Sequence, residues 1–359
     1  MEKIRVNTGE NPYNILFGLS YGELPSALEE IGAPKKLLAV TDSNVFGLWY
    51  EKIEKILTDS GYEVHVHVLP AGEENKNIDG VLGICRACIE HGLDRKSMIL
   101  AVGGGVVGDM AGFAAAMYMR GIRFVQIPTT LLSQSDSSVG GKTGVDFEGV
   151  KNIIGAFHQP SLVYINPETL KTLPEAEFRS GMGEVIKHGI IRDEEFFEFL
   201  YDNSEDIKAL KPDIMLKTVM QNCKIKAAVV ETDEKEQGLR AILNFGHTIG
   251  HAVESAENFS KTHGECVALG MCAAAHIAKE RGMLSNADFE KIGKIIKMYG
   301  FNTGFSADNE TVERLIKLDK KSIGGKVGFV LPKKIGEVTR LYDVEENEIS
   351  KSLDSIRSF

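Results

Sequence analysis

The sequence predicts an N-terminal α/β domain on a mainly parallel sheet, followed by a mainly α-helical domain. Three observations carry this. Up to about residue 170, short apolar runs alternate with helix-patterned segments, the order that builds a parallel sheet. One of those runs, Met98–Val102, leads straight into the glycines at 103–105. From Glu175 to about Asp319 the segments are long and helix-periodic, as in EEFFEFLYDN and IMLKTVMQNCKIKAAVVETDE. The boundary is expected near residue 175, giving domains 1–174 and 175–359.

Taken in order, IRVNTGENPYNILFG reads as two short strands around a Gly/Asn/Pro turn. KKLLAVTDSNVFG is an apolar strand ending in Thr-Asp-Ser-Asn, and LWYEKIEKILTDSG after it is helical. YEVHVHVLPAGE alternates and forms another strand, with His65 and His67 on one face, where polar-face histidines are commoner than ligands. Residues 78–92 form a helix. The stretch SMILAVGGGVVGDMAGFAAAMYMRG (97–121) then carries Gly103, Gly105 and Gly108 at G-x-G-x-x-G spacing. Glycines let a backbone turn sharply and approach a ligand, and a helix N-terminus is an anion site. A ligand-free strand-to-helix turn is the alternative. The helix itself is expected over Asp109–Met119. A dinucleotide fingerprint usually has an acidic residue about 20 positions on, at the end of the next strand. That strand is RFVQIP, Arg123–Pro128, and Thr129 and Thr130 follow it with no carboxylate. Spacing alone leaves the question open. Late in the chain KVGFVLPKKIGEVTRLYDV is strand-like.

The 359 residues are 43% hydrophobic and 26% charged, ordinary for a globular protein with two cores. A net charge of −10 disfavours nucleic acid and anionic membranes as partners, although local basic clusters can hold a small anion. The five cysteines form no framework, and Cys85 and Cys88 read as helical core residues rather than a redox or metal pair. There is no apolar leader and no run of 18 apolar residues, so a cytoplasmic protein is expected.

Four polar clusters suggest chemistry. GMGEVIKHG places Glu184, Lys187 and His188 on one helix face at i, i+3, i+4. LRAILNFGHTIGHAVE places His247 and His251 at the i, i+4 spacing of a helical metal pair, with Arg240 and Asn244 expected one and two turns earlier on the same side. THGE adds His263 and Glu265. A carboxylate with two histidines is a normal catalytic metal set, and spacing alone would choose His247 and His251 as the pair. QSDSSVGGKTGVDFEGVKNIIGAFHQP holds Asp136, Lys142, Lys151 and Asn152 in a Gly-rich setting, where lysines serve as phosphate point charges. Lys226, Arg240, Lys320 and Lys321 add cations to an acidic protein and suggest a substrate with more than one negative charge.

At these residues the chain resembles the 3-dehydroquinate synthase family. The likeness runs from TDSN near residue 41 to DKKSIGGKVGFVLP near residue 332. It rests on LPAGEENK, GGGVVGDMAGFAAAMYMRGI, IPTTLLSQSDSSVGGKTGVD, KNIIGAFHQP, GMGEVIKHG and LNFGHTIGHAVE, in order and at matching spacing. The resemblance implies a Rossmann-like NAD domain, a helical metal-binding domain, and an active site in the cleft. It implies a lyase of the shikimate pathway that turns 3-deoxy-D-arabino-heptulosonate 7-phosphate into 3-dehydroquinate and phosphate. The steps are NAD-mediated transient oxidation, β-elimination, reduction and aldol closure.

Residue by residue, the resemblance sets Gly104, Gly105 and Val106 against the NAD diphosphate, near Asp109, Thr129 and Thr130. It sets Asp42, Asn44, Glu73 and Lys76 on the ribose and adenine side, so the acid lies upstream. Asp136, Lys142, Lys151, Thr172, Leu173 and Glu177 complete the cofactor side. Glu184, His247 and His263 become the ligands of zinc or cobalt, and His251 moves to the substrate side. Lys187, Lys226, Arg240 and Asn244 would meet the substrate carboxylate and hydroxyls. Lys142, Asn152, His251 and Lys320 or Lys321 would meet the phosphate. Arg120 would reach the site of a second subunit, implying a homodimer. Two departures are visible: Gly183 where Ala is expected, at a helix-propensity cost of about 1 kcal/mol, and Thr169 where a bulkier residue is familiar. The rivals are a 2-deoxy-scyllo-inosose or valiolone-type cyclase, a metal-dependent glycerol-dehydrogenase-like oxidoreductase, and a cofactor-binding regulator.

Overall fold

The computed structural model describes residues 1–9, 11–236, 238–318 and 327–357. Lys320 and Lys321 lie outside the described residues. The chain divides into two compact units, 1–173 with 226–235, and 174–225 with 236–359. A single cut at 174/175 differs from this in one segment, because 226–235 packs with the first unit.

The first unit runs β1 Glu2–Val6, β2 Tyr13–Phe17, α1 Leu24–Glu30, β3 Lys36–Asp42, α2 Ser43–Val45, α3 Glu51–Asp59, β4 Glu63–Leu69, α4 Ile78–Glu90, β5 Met98–Gly103, α5 Gly105–Met117, β6 Arg123–Pro128, β7 Lys142–Phe147, β8 Val150–Phe157 and β9 Leu162–Ile165. Seven strands form one sheet in the order β1-β2-β9-β6-β5-β3-β4, while β7 and β8 make a separate hairpin. Only β1 pairs antiparallel in the large sheet. Its inner strands are buried on both faces, which explains their unbroken apolar runs. Leu37, Ala39, Met98 and Leu100 meet α1 and α3 on one side. Leu38, Val40, Ile99 and Ala101 meet α4 and α5 on the other. From β3 the chain adds β4 to one side and then returns to add β5 on the other. The sheet therefore has its switch point between β3 and β5, where open α/β sheets bind ligands beyond the strands' carboxyl ends.

The helix expected over Asp109–Met119 starts four residues earlier, at Gly105, and ends at Met117. Its N-cap, Gly104, has extended backbone and supplies no side-chain cap. The small residues that weaken the periodic signal are packing choices. A Cβ on Gly108 would sit 2.7 Å from Gln126 Oε1 on β6, so the glycine brings helix and sheet together.

The second unit holds α6 Glu175–Arg192, α7 Glu194–Asp202, α8 Ser204–Lys208, α10 His247–Ala256, α11 His263–Glu280, α12 Asn286–Met298, α13 Asn309–Leu318, the hairpin β10 Phe329–Lys334 with β11 Glu337–Leu341, and α14 Glu346–Arg357. The long α9, Pro212–Thr232, spans both groupings. The core helix is α11, apolar around most of its circumference and buried from Cys266 to Ala275. Its start is fixed by a capping box: Thr262 Oγ1 accepts from Glu265 N, and Glu265 Oε2 accepts from Thr262 N.

Candidate active site

At the switch point, Asp42 ends β3 and Gly103 ends β5. Asp42 Oδ1 accepts from Asn44 N at 2.8 Å and Val45 N at 3.0 Å, so it caps the short α2. Across the switch, the first-turn amides of α5 have no acceptor within their own helix. Gly104 and Gly105 keep that end bare: a Cβ would lie 3.0 Å from Thr130 Cγ2 and 3.2 Å from Ser137 Oγ, respectively. The third glycine of the spacing, Gly108, packs the helix on the sheet, as such a glycine should.

Lys76 ties this region together. The residue is 4% exposed, and its ammonium lies 2.7 Å from Asp109 Oδ2, 3.8 Å from Glu73 Oε1 and 2.6 Å from Asn152 Oδ1. Burial pulls the Lys76 pKa down, but Asp109 and Glu73 outweigh it and hold it above the ordinary lysine value. Asn152 sits at positive φ on the hairpin strand β8, and its N–H donates to Asp146 Oδ1 at 2.7 Å. Lys226 donates to the Asp136 backbone carbonyl and pairs with its carboxylate at 2.8 Å. Lys142 opens β7 and is exposed, and Lys151 lies beside Asn152. Thr172 accepts from Trp49 Nε1 at 2.8 Å, and Leu173 follows that turn. Arg120 is exposed at φ 68° after Met119 at φ 50°, two successive left-handed residues. Such strain at non-glycine positions accompanies functional sites.

In the second unit, Glu184 is 1% exposed on α6. Its Oε1 lies 3.1 Å from His263 Nε2 and 3.4 Å from His247 Nε2, and its Oε2 pairs with Lys187. Ligand atoms of His247, His251 and His263 lie within 4.8 Å of one another. Helical spacing and the resemblance had divided these histidines, and the fold gathers all three. His247 Nδ1 faces Phe245 O at 3.1 Å, and His263 Nδ1 faces Glu254 Oε2 at 3.9 Å, so both Nε2 atoms point inward. Burial pushes the Glu184 carboxyl up, but Lys187 and then His247 outweigh it and hold it well below the usual range. Burial and Lys187 push His247 down to about 4. Burial opposes the charge on His263, but Glu184 and Glu254 carry it up to about 9. One carboxylate oxygen and imidazole nitrogens aimed at one point, with outer carbonyl and carboxylate partners, are a donor set suited to zinc or cobalt.

Arg240 and Asn244 do not continue the His247 helix backwards. They belong to a separate 3-10 turn, Leu239–Asn244, and Gly246 at φ +79° breaks the path. Arg240 is 2% exposed, and Asn244 Nδ2 donates to Glu236 Oε1 at 2.9 Å. His188 leaves the shared face for α9, where Nδ1 meets Asn222 Oδ1 at 2.8 Å. Glu177 is exposed in the first turn of α6. Sequence reasoning missed Glu236, Glu254 and Asp146. For Glu254 a signal existed: with His247 and His251 it completes an i, i+4, i+7 stripe.

The Gly183 departure also looks different in three dimensions. A Cβ there would stand 2.7 Å from Gly264 O, and one on Gly264 would overlap Ser180 O. The α6–α11 crossing is glycine against glycine, directly beside Glu184 and His263. Thr169 is likewise accounted for, because its hydroxyl accepts from the buried Gln134 Nε2 at 2.8 Å and donates to Asn166 O.

An α/β unit with a glycine turn at its switch point, and a helical unit with a Glu/His cluster, define the class of NAD- and metal-dependent sugar-phosphate cyclases. A solved 2-epi-5-epi-valiolone synthase from Streptomyces hygroscopicus, with NAD+ and Zn2+ bound, superposes at TM-score 0.91 with 27% identity, covering 98% of each chain. A 2-deoxy-scyllo-inosose synthase with carbaglucose-6-phosphate, NAD+ and Co2+ superposes at 0.85 with 25% identity, covering 99% of this chain and 100% of the other. An iron-containing alcohol dehydrogenase shares the fold at TM-score 0.70 and 14% identity, covering 98% and 99%. Within that class the chain belongs to the 3-dehydroquinate synthase family. Family models described as 3-dehydroquinate synthase N-terminal and C-terminal match residues 66–180 and 181–322. The 3-dehydroquinate synthases of Acetivibrio thermocellus and Ruminiclostridium cellulolyticum are each 48% identical, covering 99% and 97% of both chains. The family consists of phosphate-eliminating lyases that use NAD and a divalent metal. Among the described residues, no helix is long and apolar enough to cross a membrane.

Proposed function

We propose that the chain converts 3-deoxy-D-arabino-heptulosonate 7-phosphate into 3-dehydroquinate and phosphate, with residues 1–174 mainly serving NAD and 175–359 mainly metal and substrate. The observation that carries this is the convergence of two imidazole Nε2 atoms on Glu184 Oε1, with the buried cation Lys187 paired to Oε2. Glu184, His247 and His263 hold the metal, and the bare start of α5 at Gly104–Val106 holds the NAD diphosphate. When bound, NAD supplies reversible oxidation of a secondary alcohol, and the divalent metal supplies Lewis acidity.

The chain's own residues do the rest. Lys187 keeps Glu184 ionised and in place. Arg240, a planar fork that stays charged when buried, suits the substrate carboxylate, with Lys226 and Asn244 on carboxylate and hydroxyls. Lys142, Asn152 and His251 serve the leaving phosphate, Lys142 with its charge and Asn152 as a hydrogen-bond donor. Asp109 and Glu73 fix Lys76, which sets Asn152 on its strand. The carboxylate-directed cations and the 48% identity to 3-dehydroquinate synthases support this substrate over carboxylate-free sugar phosphates. A homodimer to which Arg120 contributes, and a cytoplasmic setting, are part of the same reading.

The test is phosphate release from the heptulosonate phosphate with catalytic NAD, with and without chelator. Release that needs NAD and metal, yields 3-dehydroquinate and accumulates no NADH is expected. Stoichiometric NADH would instead favour the dehydrogenase reading, and no release from metal-loaded enzyme would sink the proposal.

A further inference from the structure

The metal ligands do not by themselves explain Glu254. It is a carboxylate 4% exposed in the helical core, a placement that costs several kcal/mol unless the charge is used. It shares a face of α10 with His247 and His251. Its Oε2 lies 3.9 Å from the Nδ1 edge of His263, the edge turned away from Glu184. The His263 ring thus stands between two carboxylates, Glu184 Oε1 at 3.1 Å from Nε2 and Glu254 Oε2 at 3.9 Å from Nδ1.

We propose that Glu254 is a positioning residue of the metal centre: its carboxylate, 3.9 Å from Nδ1, favours the His263 tautomer with the proton on that edge and so leaves the Nε2 lone pair aimed at the ion. The inference rests on the metal-site reading above. A neutral imidazole carries one proton, and which nitrogen holds it is set by the acceptor on the other edge. If that proton moves to Nε2, the ligand atom is blocked. His263 needs this help more than His247, because a backbone carbonyl already fixes the His247 ring through Nδ1. His263 is also the more exposed of the two, 31% against 12%, and stands at the very start of α11, where its ring has less packing to orient it. A side-chain carboxylate from the neighbouring helix therefore supplies what the local backbone does not.

The experiment measures Zn2+ Kd by chelator competition on metal-stripped full-length protein, together with the visible spectrum of the Co2+ form and the metal-free Tm. Three variants are compared, Glu254→Gln, Glu254→Ala and His263→Ala. Outer carboxylate partners typically contribute about 10–100-fold in metal affinity. E254A is expected to weaken Zn2+ by that factor and to change the Co2+ bands; its metal-free Tm falls because Glu254 no longer pairs with the charged His263, and E254Q shares that fall. E254Q, which keeps an acceptor oxygen on the Nδ1 edge, is expected to stay within about threefold of the parent and keep its Co2+ spectrum. Wild-type affinity in E254A overturns the inference. Equal weakening in both Glu254 variants, in step with that shared fall in metal-free Tm, assigns the residue to stability rather than positioning and overturns it too. His263→Ala separates the two levels: parental affinity there removes the metal site itself, whereas loss there with an unaffected E254A removes only the role of Glu254.

Discussion

The glycine turn of the first unit and the Glu/His cluster of the second bind by opposite means. At Gly104–Gly105 the chain removes side chains, so that backbone N–H groups at a helix start can meet an anion. Around Glu184 the chain gathers side chains from three helices onto a point, where burial opposes their charges and pairing restores those of Glu184 and His263. A backbone site is sensitive to any added Cβ and indifferent to most charges. A side-chain site is sensitive to each ligand and to whatever spaces the helices. The two can therefore be broken separately.

The largest separation is expected at the metal ligands. His247→Ala should abolish tight Zn2+ binding and bring phosphate release down to the level of chelator-treated enzyme, while NAD Kd stays at the parental value. Glu184→Ala should do the same and also destabilise the fold by roughly 3–5 kcal/mol, because it strands Lys187 as a buried, unpaired charge. Denaturant unfolding beside metal titration checks both. The converse variant is Gly105→Val, which puts a branched side chain over the start of α5 and against Ser137. Losing a helix N-terminal contact of up to about 2 kcal/mol corresponds to roughly a 30-fold rise in NAD Kd. Zn2+ affinity should not change, and a parallel loss of both would break the comparison.

Protonation sharpens it further. In metal-free protein His247 titrates at about 4, below a normal histidine, so between about 4 and 6.5 the unfolded chain binds the extra proton and stability falls as pH falls. His263 is raised to about 9, so between 6.5 and 9 the folded chain holds the extra proton and stability falls as pH rises. Metal-free stability should therefore peak near pH 6.5, and Zn2+ should flatten the profile by occupying both Nε2 atoms. Lys76 in the first unit is raised above 10.5, so its contribution is complete below that value and disappears only in stronger alkali. Melting temperatures from pH 5 to 9, with and without Zn2+, read this out. An unpeaked metal-free profile would contradict the burial and pairing that hold the two histidines apart.

Much of this was legible in the sequence, and the parts that were not share a cause. Strands β3, β5 and β6 are read from apolar runs, and Glu184–Lys187 from i, i+3 spacing, because both signals are local. The α5 start at Gly105 is hidden because glycine and valine carry little amphipathic contrast. The turn before His247 looks helical in sequence because one left-handed glycine, Gly246, interrupts an otherwise helical pattern. The meeting of Glu184 with His247 and His263 has no local signature at all: 63 and 79 positions separate them, and only the packing of α6, α10 and α11 joins them. The family likeness supplied that triad, and spacing alone preferred His251.

Gly183 shows what such packing asks of a sequence, and it gives the smallest expected effect. From sequence, Gly183→Ala should stabilise α6 by about 1 kcal/mol through helix propensity. In the fold, the added methyl would sit 2.7 Å from Gly264 O and 3.0 Å from Gly264 Cα, both backbone atoms that cannot rotate away. Overpacking of this kind costs roughly 1–3 kcal/mol. The two terms oppose each other, and the steric one is the larger, so a net loss of about 1 kcal/mol is expected in metal-free protein. Separating α6 from α11 also moves Glu184 away from His263, so Zn2+ Kd should rise modestly while NAD Kd holds. A gain in metal-free stability would mean that the crossing relaxes without strain. The helices of the second unit would then owe their spacing to the ligands they carry rather than to the glycines between them.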